Sequence, residues 1–195
     1  MDRDLQVPEL AAERGFTLRP WRLSDLPLVR EASEDPYIPT ITTVPTPYSD
    51  PAGVAFVERQ WGRAAVGTGY PFVLLDPDGR PVGNAGLWTR PDPGLASVGY
   101  WVVASARGRG AALSALRAVA GWALRDLGLT RLELQVEPWN TASVRTAERA
   151  GFRREGLLRD GLRIGTGTRD VLRYAYPGGE DGGGKDAGPA RAPGR

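Results

Sequence analysis

The stretch that decides the fold is Val98-Gly-Tyr-Trp-Val-Val-Ala-Ser-Ala-Arg107-Gly-Arg-Gly-Ala-Ala112, which runs from an alternating apolar segment through two glycines into alanine-rich sequence. Leu95 to Val103 alternates as a strand does. From Arg109 to Leu127 the residues Leu113, Leu116, Ala120, Leu124 and Leu127 recur at helical spacing, and Gly128 stops the run. A strand therefore leads into a helix through the turn from Arg107 to Ala112. Helix starts carry unpaired N–H groups and a partial positive charge, which suits an anion. Gly108 and Gly110 take side chains out of the path, Ala111 and Ala112 keep the first turn low, and Arg107 and Arg109 add charge-assisted donors. A diphosphate can thus approach the backbone. The pattern lacks the third glycine of a dinucleotide fingerprint and the Gly-Lys-Ser/Thr end of a Walker loop. On these residues alone, a plain surface turn stays open beside the anion site.

Upstream, Phe16 to Arg22 alternates like an opening strand, and Ser24 is placed to cap a helix over Asp25 to Ser33. Proline-rich Asp35 to Pro47 is expected as a loop, and Asp50 to Val66 as a helix. Pro71 to Leu75, the turn Asp76-Pro77-Asp78-Gly79 and Pro81 to Thr89 form a hairpin pattern, with Leu95 to Val103 as the next antiparallel strand. Downstream, Leu132 to Val136 is a strand, Thr141 to Arg149 a helix ended by Gly151, and Phe152 to Leu158 and Asp170 to Tyr176 two final strands. A meander followed by strand, helix, strand, helix and strand predicts an α/β (α+β) mixed sheet with helices packed on it.

Composition narrows the chemistry. The 195 residues hold neither cysteine nor histidine, which removes disulfides, thiolate nucleophiles and the usual neutral-pH base. Carboxylates, hydroxyls and backbone remain, and no metal site is expected. The formal charge is +2 with acidic residues interspersed among the arginines, so no nucleic-acid partner is expected. No apolar run approaches the roughly 20 residues of a membrane span, and the start lacks the apolar core of a signal peptide, so a cytoplasmic protein is expected. The expected organisation is a flexible arm over 1–15, one domain over 16–176 and a disordered Gly/Pro-rich tail over 177–195.

Two motifs in order carry a family likeness. Arg107-x-x-Gly110-x-Ala112, after Val98-Gly99-Tyr100-Trp101-Val102, resembles the acyl-CoA-binding motif of the GNAT superfamily of N-acetyltransferases. Asn140-Thr-Ala-Ser143, in a helix ending Gly151-Phe152, is similar to its ribosomal-protein N-acetyltransferase branch. Leu18-Arg19-Pro20 with Asp25, and Asp170-Val171-Leu172-Arg173-Tyr174, extend the likeness to about residues 16–176.

The resemblance implies a central, mostly antiparallel sheet in which the strand ending at Val103 and the strand Leu132 to Val136 lie parallel and splay apart. It implies acetyl-CoA as acyl donor, with Trp101, Val102 and Val103 offering unpaired backbone to pantetheine and Arg107, Gly108, Arg109, Gly110, Ala111 and Ala112 holding the pyrophosphate. Asn140 would bond the pantetheine arm or simply cap its helix. Ser143 would protonate or hydrogen-bond the departing thiolate, or act as a second cap; other branches use a tyrosine at the position of Ala147.

Direct attack of an amine on the thioester is then expected, without a covalent enzyme intermediate. Relatives commonly carry a glutamate where Ser97 stands, which leaves Glu133, Glu137, Asp92, Asp170 or a water chain as base. An α-amine with a pKa near 8 is about a tenth neutral at pH 7, whereas a lysine amine carries a penalty larger by roughly 3 kcal/mol. A protein or peptide α-amine is therefore the expected acceptor, with the pocket formed by Tyr37 to Ser49, Trp61 and Trp88 to Asp92. A small amine acceptor such as an antibiotic or polyamine, and a non-catalytic acyl-CoA-binding module, are the alternatives. Either a monomer or a homodimer paired through the final strand is compatible with this pattern.

Overall fold

The structure, a computed structural model, describes residues 6–164 and 167–177. The expected tail therefore lies, apart from Pro177, outside the described residues. One eight-stranded sheet organises the chain, in the order β1-β2-β3-β4-β5-β6-β8-β7. Its strands are β1 (Leu10–Ala11), β2 (Thr17–Pro20), β3 (Gly69–Leu75), β4 (Pro81–Thr89), β5 (Leu95–Val102), β6 (Arg131–Val136), β7 (Arg153–Ile164) and β8 (Gly167–Tyr176). Neighbours are antiparallel except β5 and β6, which are parallel. The helices are α1 (Leu26–Glu34), α2 (Ile38–Ile41), α3 (Asp50–Ala65), α4 (Ala111–Arg125) and α5 (Thr141–Arg149). The mixed sheet is the architecture the element order predicts, and its one parallel pair is the pair that the family resemblance implies.

Register assigns the two faces. Phe72, Ala85 and Tyr100 are partners across β3, β4 and β5, so their side chains share a face. Phe72 packs edge-on against Trp122 of α4, which makes this the α4 face. Val73, Asn84 and Trp101 are the next row and point the other way. There Trp21 meets Phe56 of α3 at 5.2 Å and Trp101 at 6.3 Å. Fully buried Leu116, Val119 and Ala123 on α4, with Phe72, Leu132 and Tyr174 of the sheet, form part of the core. Burial of such side chains contributes about 1.5–3 kcal/mol each.

Several boundaries differ from the sequence reading. Leu10–Ala11 pairs with Thr17 and Leu18, so the sheet begins ahead of Phe16, and Glu13 in the following turn pairs with Arg117 of α4 at 3.0 Å. The opening strand ends at Pro20, because Leu23–Asp25 forms a 3-10 turn closed by Asp25, whose carboxylate accepts from the Arg22 N–H and binds Arg19. Asp25, not Ser24, is the residue before α1, and its side chain serves the 3-10 turn rather than capping that helix. Within the expected loop, Asp35 accepts from the N–H groups of Tyr37 and Ile38 and starts α2. The final hairpin is longer than the two strands read from sequence, since β7 runs on to Ile164 past a bulge between Leu158 and Leu162 and β8 already starts at Gly167.

Candidate active site

β5 and β6 pair only through Leu95, Ala96 and Ser97 against Arg131, Leu132 and Glu133. Beyond that point β5 keeps its partner β4 as far as Val102, and β6 keeps β8 as far as Val136. Each strand is held on its outer side while the pair opens between them. The opening lies between the end of β5, the start of α4 and the start of α5.

Strand alternation decides which backbone groups line it. Val103 N–H donates to Val82 O at 3.0 Å, and Trp101 stands opposite Asn84, so these residues turn their amides to β4. The expectation that Trp101, Val102 and Val103 all lack strand partners is corrected here. Successive residues alternate, so Tyr100 and Val102 are the ones that face the opening. The Val102 carbonyl already accepts from Arg107 Nε at 2.9 Å.

At the turn, Gly108 and Gly110 have φ of 79° and 86°, left-handed values that β-carbons oppose. Gly110 is the residue before α4 and has no side chain to cap it, whereas Ser49 caps α3 and Asn140 caps α5. The first-turn N–H groups at Ala111 and Ala112 are therefore left for a partner from outside, and Gly108 has open space where a Cβ would stand. That arrangement fits a phosphate group. Arg109 is exposed beside it.

Arg107 has a different placement: its Nη2 binds Asp35 at 2.5 Å, and the Asp35 side chain is only 3% exposed. Burial would raise the Asp35 carboxyl, but the N–H groups of Ile38 and Tyr37 and the Arg107 guanidinium outweigh it and hold it below the ordinary value. Arg107 thus braces the turn against α2. Sequence reasoning missed Arg14, whose Nη1 would lie 2.7 Å from a Cβ at Gly110, adding a third arginine at the turn. Nothing in its own sequence neighbourhood signals this.

On α5, Asn140 Oδ1 accepts from Ser143 N–H at 3.1 Å, so Asn140 is the helix cap. The half-buried Ser143 hydroxyl bonds the Tyr100 phenol across the opening at 2.7 Å. Ala147 is fully buried and brings no hydroxyl. The Tyr100 partnership was also absent from the sequence reading, although the period of two that puts Tyr100 on the sheet face with Phe72 and Ala85 was a usable signal.

The carboxylates proposed as bases have other engagements. Asp92 accepts from Gly94 N–H, and Asp170 from Asp160 N–H. Glu133 stands in register with Ser97, 3.4 Å from Arg131, while Ser97 Oγ accepts from Arg90 Nε. Glu137 is nearly buried, pairs with Arg169 at 3.1 Å and accepts from the Tyr37 hydroxyl at 2.5 Å. Its burial would raise its pKa, but Tyr37, Arg169 and Trp139 together hold it below the ordinary value, which makes it a weak base. Around the mouth, Tyr37 meets Trp139 at 4.8 Å. The Trp88 ring covers Gly86 and Gly99, where a Cβ would lie 2.7 and 3.2 Å from it. Trp61 instead donates to Trp21 O, with its ring partly exposed. Among the described residues no carboxylate cluster is placed to hold a metal ion, and no helix is long and apolar enough to cross a membrane.

An uncapped helix start beside an opened parallel pair coincides with a family assignment. Residues 16–153 match the model of the acetyltransferase (GNAT) domain. The chain belongs to the GNAT acetyltransferase family. Bacillus subtilis YjcK, named a probable N-acetyltransferase, is 38% identical over 69 residues, covering 35% of this chain and 38% of that protein. YdaF of the same organism, provisionally named a ribosomal N-acetyltransferase, is 32% identical over 80 residues, covering 41% and 44%. The chain thus matches less than half the length of either curated relative. Among solved structures, Mycobacterium smegmatis RimJ in complex with CoA-disulfide superposes with a TM-score of 0.73 at 29% identity, covering 87% of this chain and 85% of that one.

Proposed function

We propose that this protein transfers an acetyl group from acetyl-CoA directly to a primary amine, preferentially the α-amine of a protein or peptide. The observation that carries the reading is the β5–β6 opening with an uncapped α4 start at one end and the Tyr100–Ser143 pair at the other. RimJ, similar over most of its length, holds a CoA-derived ligand. The pyrophosphate would lie against the first-turn N–H groups of α4 and Gly108, with Arg109 and Arg14 at its flank. Pantetheine would run along the side of β5 faced by Tyr100 and Val102, as an added strand would.

The amine nitrogen attacks the thioester carbonyl carbon, the C–S bond breaks, and the amine's surplus proton passes to water. Ser143 donates a hydrogen bond to the departing sulfur, and the thiolate takes up through water one proton, equal to the one the amine released. The acceptor preference follows from the base. Ser97 offers no carboxylate at the usual position and Glu137 is held ionised by its partners, so the amine must arrive largely neutral. That condition favours an α-amine over a lysine by roughly 3 kcal/mol.

The test incubates purified protein with acetyl-CoA and three sets of acceptors: peptides with only a free amino terminus, peptides with only a free lysine, and small polyamines and aminoglycosides. Thiol release and product mass are followed together. Faster turnover of amino-terminal peptides is the expected result. Preference for lysine or for a small amine overturns the acceptor assignment, and tight acetyl-CoA binding without turnover on any amine overturns the enzyme assignment.

A further inference from the structure

We infer that Tyr100 is a positioning residue for departure of the thiol: its phenol donates to Ser143 Oγ and so frees the serine's own hydrogen to point into the opening. The inference rests on the proposed role of Ser143. A serine hydroxyl has one hydrogen to give and two lone pairs to receive. In a helix that hydrogen is commonly drawn back to the carbonyl four residues earlier, where it is useless to a ligand. Thr146, on the same helix, does this and bonds Ala142 O at 2.9 Å. Ser143 is instead engaged by the Tyr100 phenol at 2.7 Å, on the β5 strand face turned towards α4 and α5.

The direction of that bond follows from chemistry. A phenol is the better donor of the two hydroxyls and the poorer acceptor. Thr146 also neighbours the phenol, but its own proton lies on Ala142 O, and among the described residues Ser143 is the hydroxyl within hydrogen-bond distance of Tyr100. Tyr100 is partly buried, and burial outweighs its Ser143 and Thr146 neighbours to hold its phenol above the ordinary value, so the proton stays on oxygen through the working pH range. With Tyr100 donating, Ser143 Oγ is fixed on its acceptor side. Its hydrogen is then left for the leaving sulfur. Asn140 completes the fixation by accepting from Ser143 N–H, which holds the first turn of α5 in place.

The test measures kcat and the KM for acetyl-CoA in the parent protein, Tyr100→Phe, Ser143→Ala and the double variant, with the melting temperature of each. Ser143→Ala is expected to lower kcat about a hundredfold. Tyr100→Phe, which keeps the ring, should lower kcat about tenfold with KM within about twofold, and the double variant should be no slower than Ser143→Ala alone. Acetyl-seleno-CoA, whose selenolate leaves without needing a proton, should narrow the gap between Tyr100→Phe and parent. A melting temperature close to the parent's keeps the comparison on chemistry. Unchanged kcat in Tyr100→Phe beside a slow Ser143→Ala overturns the Tyr100 inference alone, as do losses that simply multiply in the double variant. Full activity of Ser143→Ala overturns the serine role itself.

Discussion

Arg107 and Arg109 look interchangeable as written letters, two residues apart across one glycine, yet the structure gives them opposite duties. Arg107 bonds the Val102 carbonyl and the nearly buried Asp35 carboxylate, so it joins β5, the turn and α2. Arg109 is exposed and has no ion pair among the described residues. Removing the Arg107 guanidinium leaves Asp35 with backbone donors only, a loss of about 1–3 kcal/mol for a charged hydrogen bond. Arg107→Ala should therefore lower the urea midpoint clearly, and Arg107→Lys should recover part of the loss because it keeps the charge without the fork. Arg109→Ala should leave the urea midpoint where it is and weaken acetyl-CoA binding, measured by calorimetry. A stability loss in Arg109→Ala with unchanged affinity would show the assignment to be reversed.

At the scale of the element, the start of α4 depends on one backbone conformation. Gly110 at φ 86° places a non-glycine residue in the left-handed region, costing about 1–2 kcal/mol. A valine there would also crowd Arg14 and cover the unpaired N–H groups. Gly110→Val should lose at least about tenfold in acetyl-CoA affinity while the melting temperature falls by only about 2–4 °C for each kcal/mol. An affinity within about twofold of the parent would place the phosphates elsewhere. This element was legible because its cause is local: two glycines, then apolar residues at helical spacing. The same holds for α3, α5 and the β3–β4 hairpin. Other elements had causes that a local reading does not see. A strand of two residues, Leu10–Ala11, has no periodicity to detect, and α2 forms in proline-rich sequence because the Asp35 side chain supplies its first acceptor. Between 159 and 169 the chain is charged and glycine-containing, so it reads as loop, but pairing of β7 with β8 extends both strands. In the site, Arg14 and Tyr37 arrive through long-range contacts, and the use of Arg107 as a brace depends on an Asp 72 residues away.

For the whole molecule, two carboxylates tie distant parts of the chain together and should make stability sensitive to acid. Asp35 joins the α1–α2 junction to the turn at Arg107, and Glu137 at the end of β6 joins Tyr37 to Arg169 of β8. Burial opposes ionisation of both, yet their hydrogen bonds and arginine partners win, so each folded-state pKa lies below its unfolded value of 3.8 or 4.5. A depressed carboxyl contributes stability that is fully present above the unfolded pKa and is lost as pH falls through the folded one. Urea midpoints should therefore hold steady down to about pH 5 and then fall. Glu137→Gln keeps the shape but gives up the charge. It should be less stable than the parent by about 1–3 kcal/mol near neutrality, since Arg169 loses its ionic partner, and the difference should shrink towards about pH 3 as the parent's own carboxyl is protonated. Activity adds a second reading of the same variant: a Glu137 that serves only to frame the mouth should lower kcat modestly without moving the pH of half-maximal kcat. A gap in stability that stays constant from neutrality to acid would mean that folding does not lower the Glu137 pKa. A shifted kcat profile would instead mark Glu137 as the proton acceptor for the incoming amine.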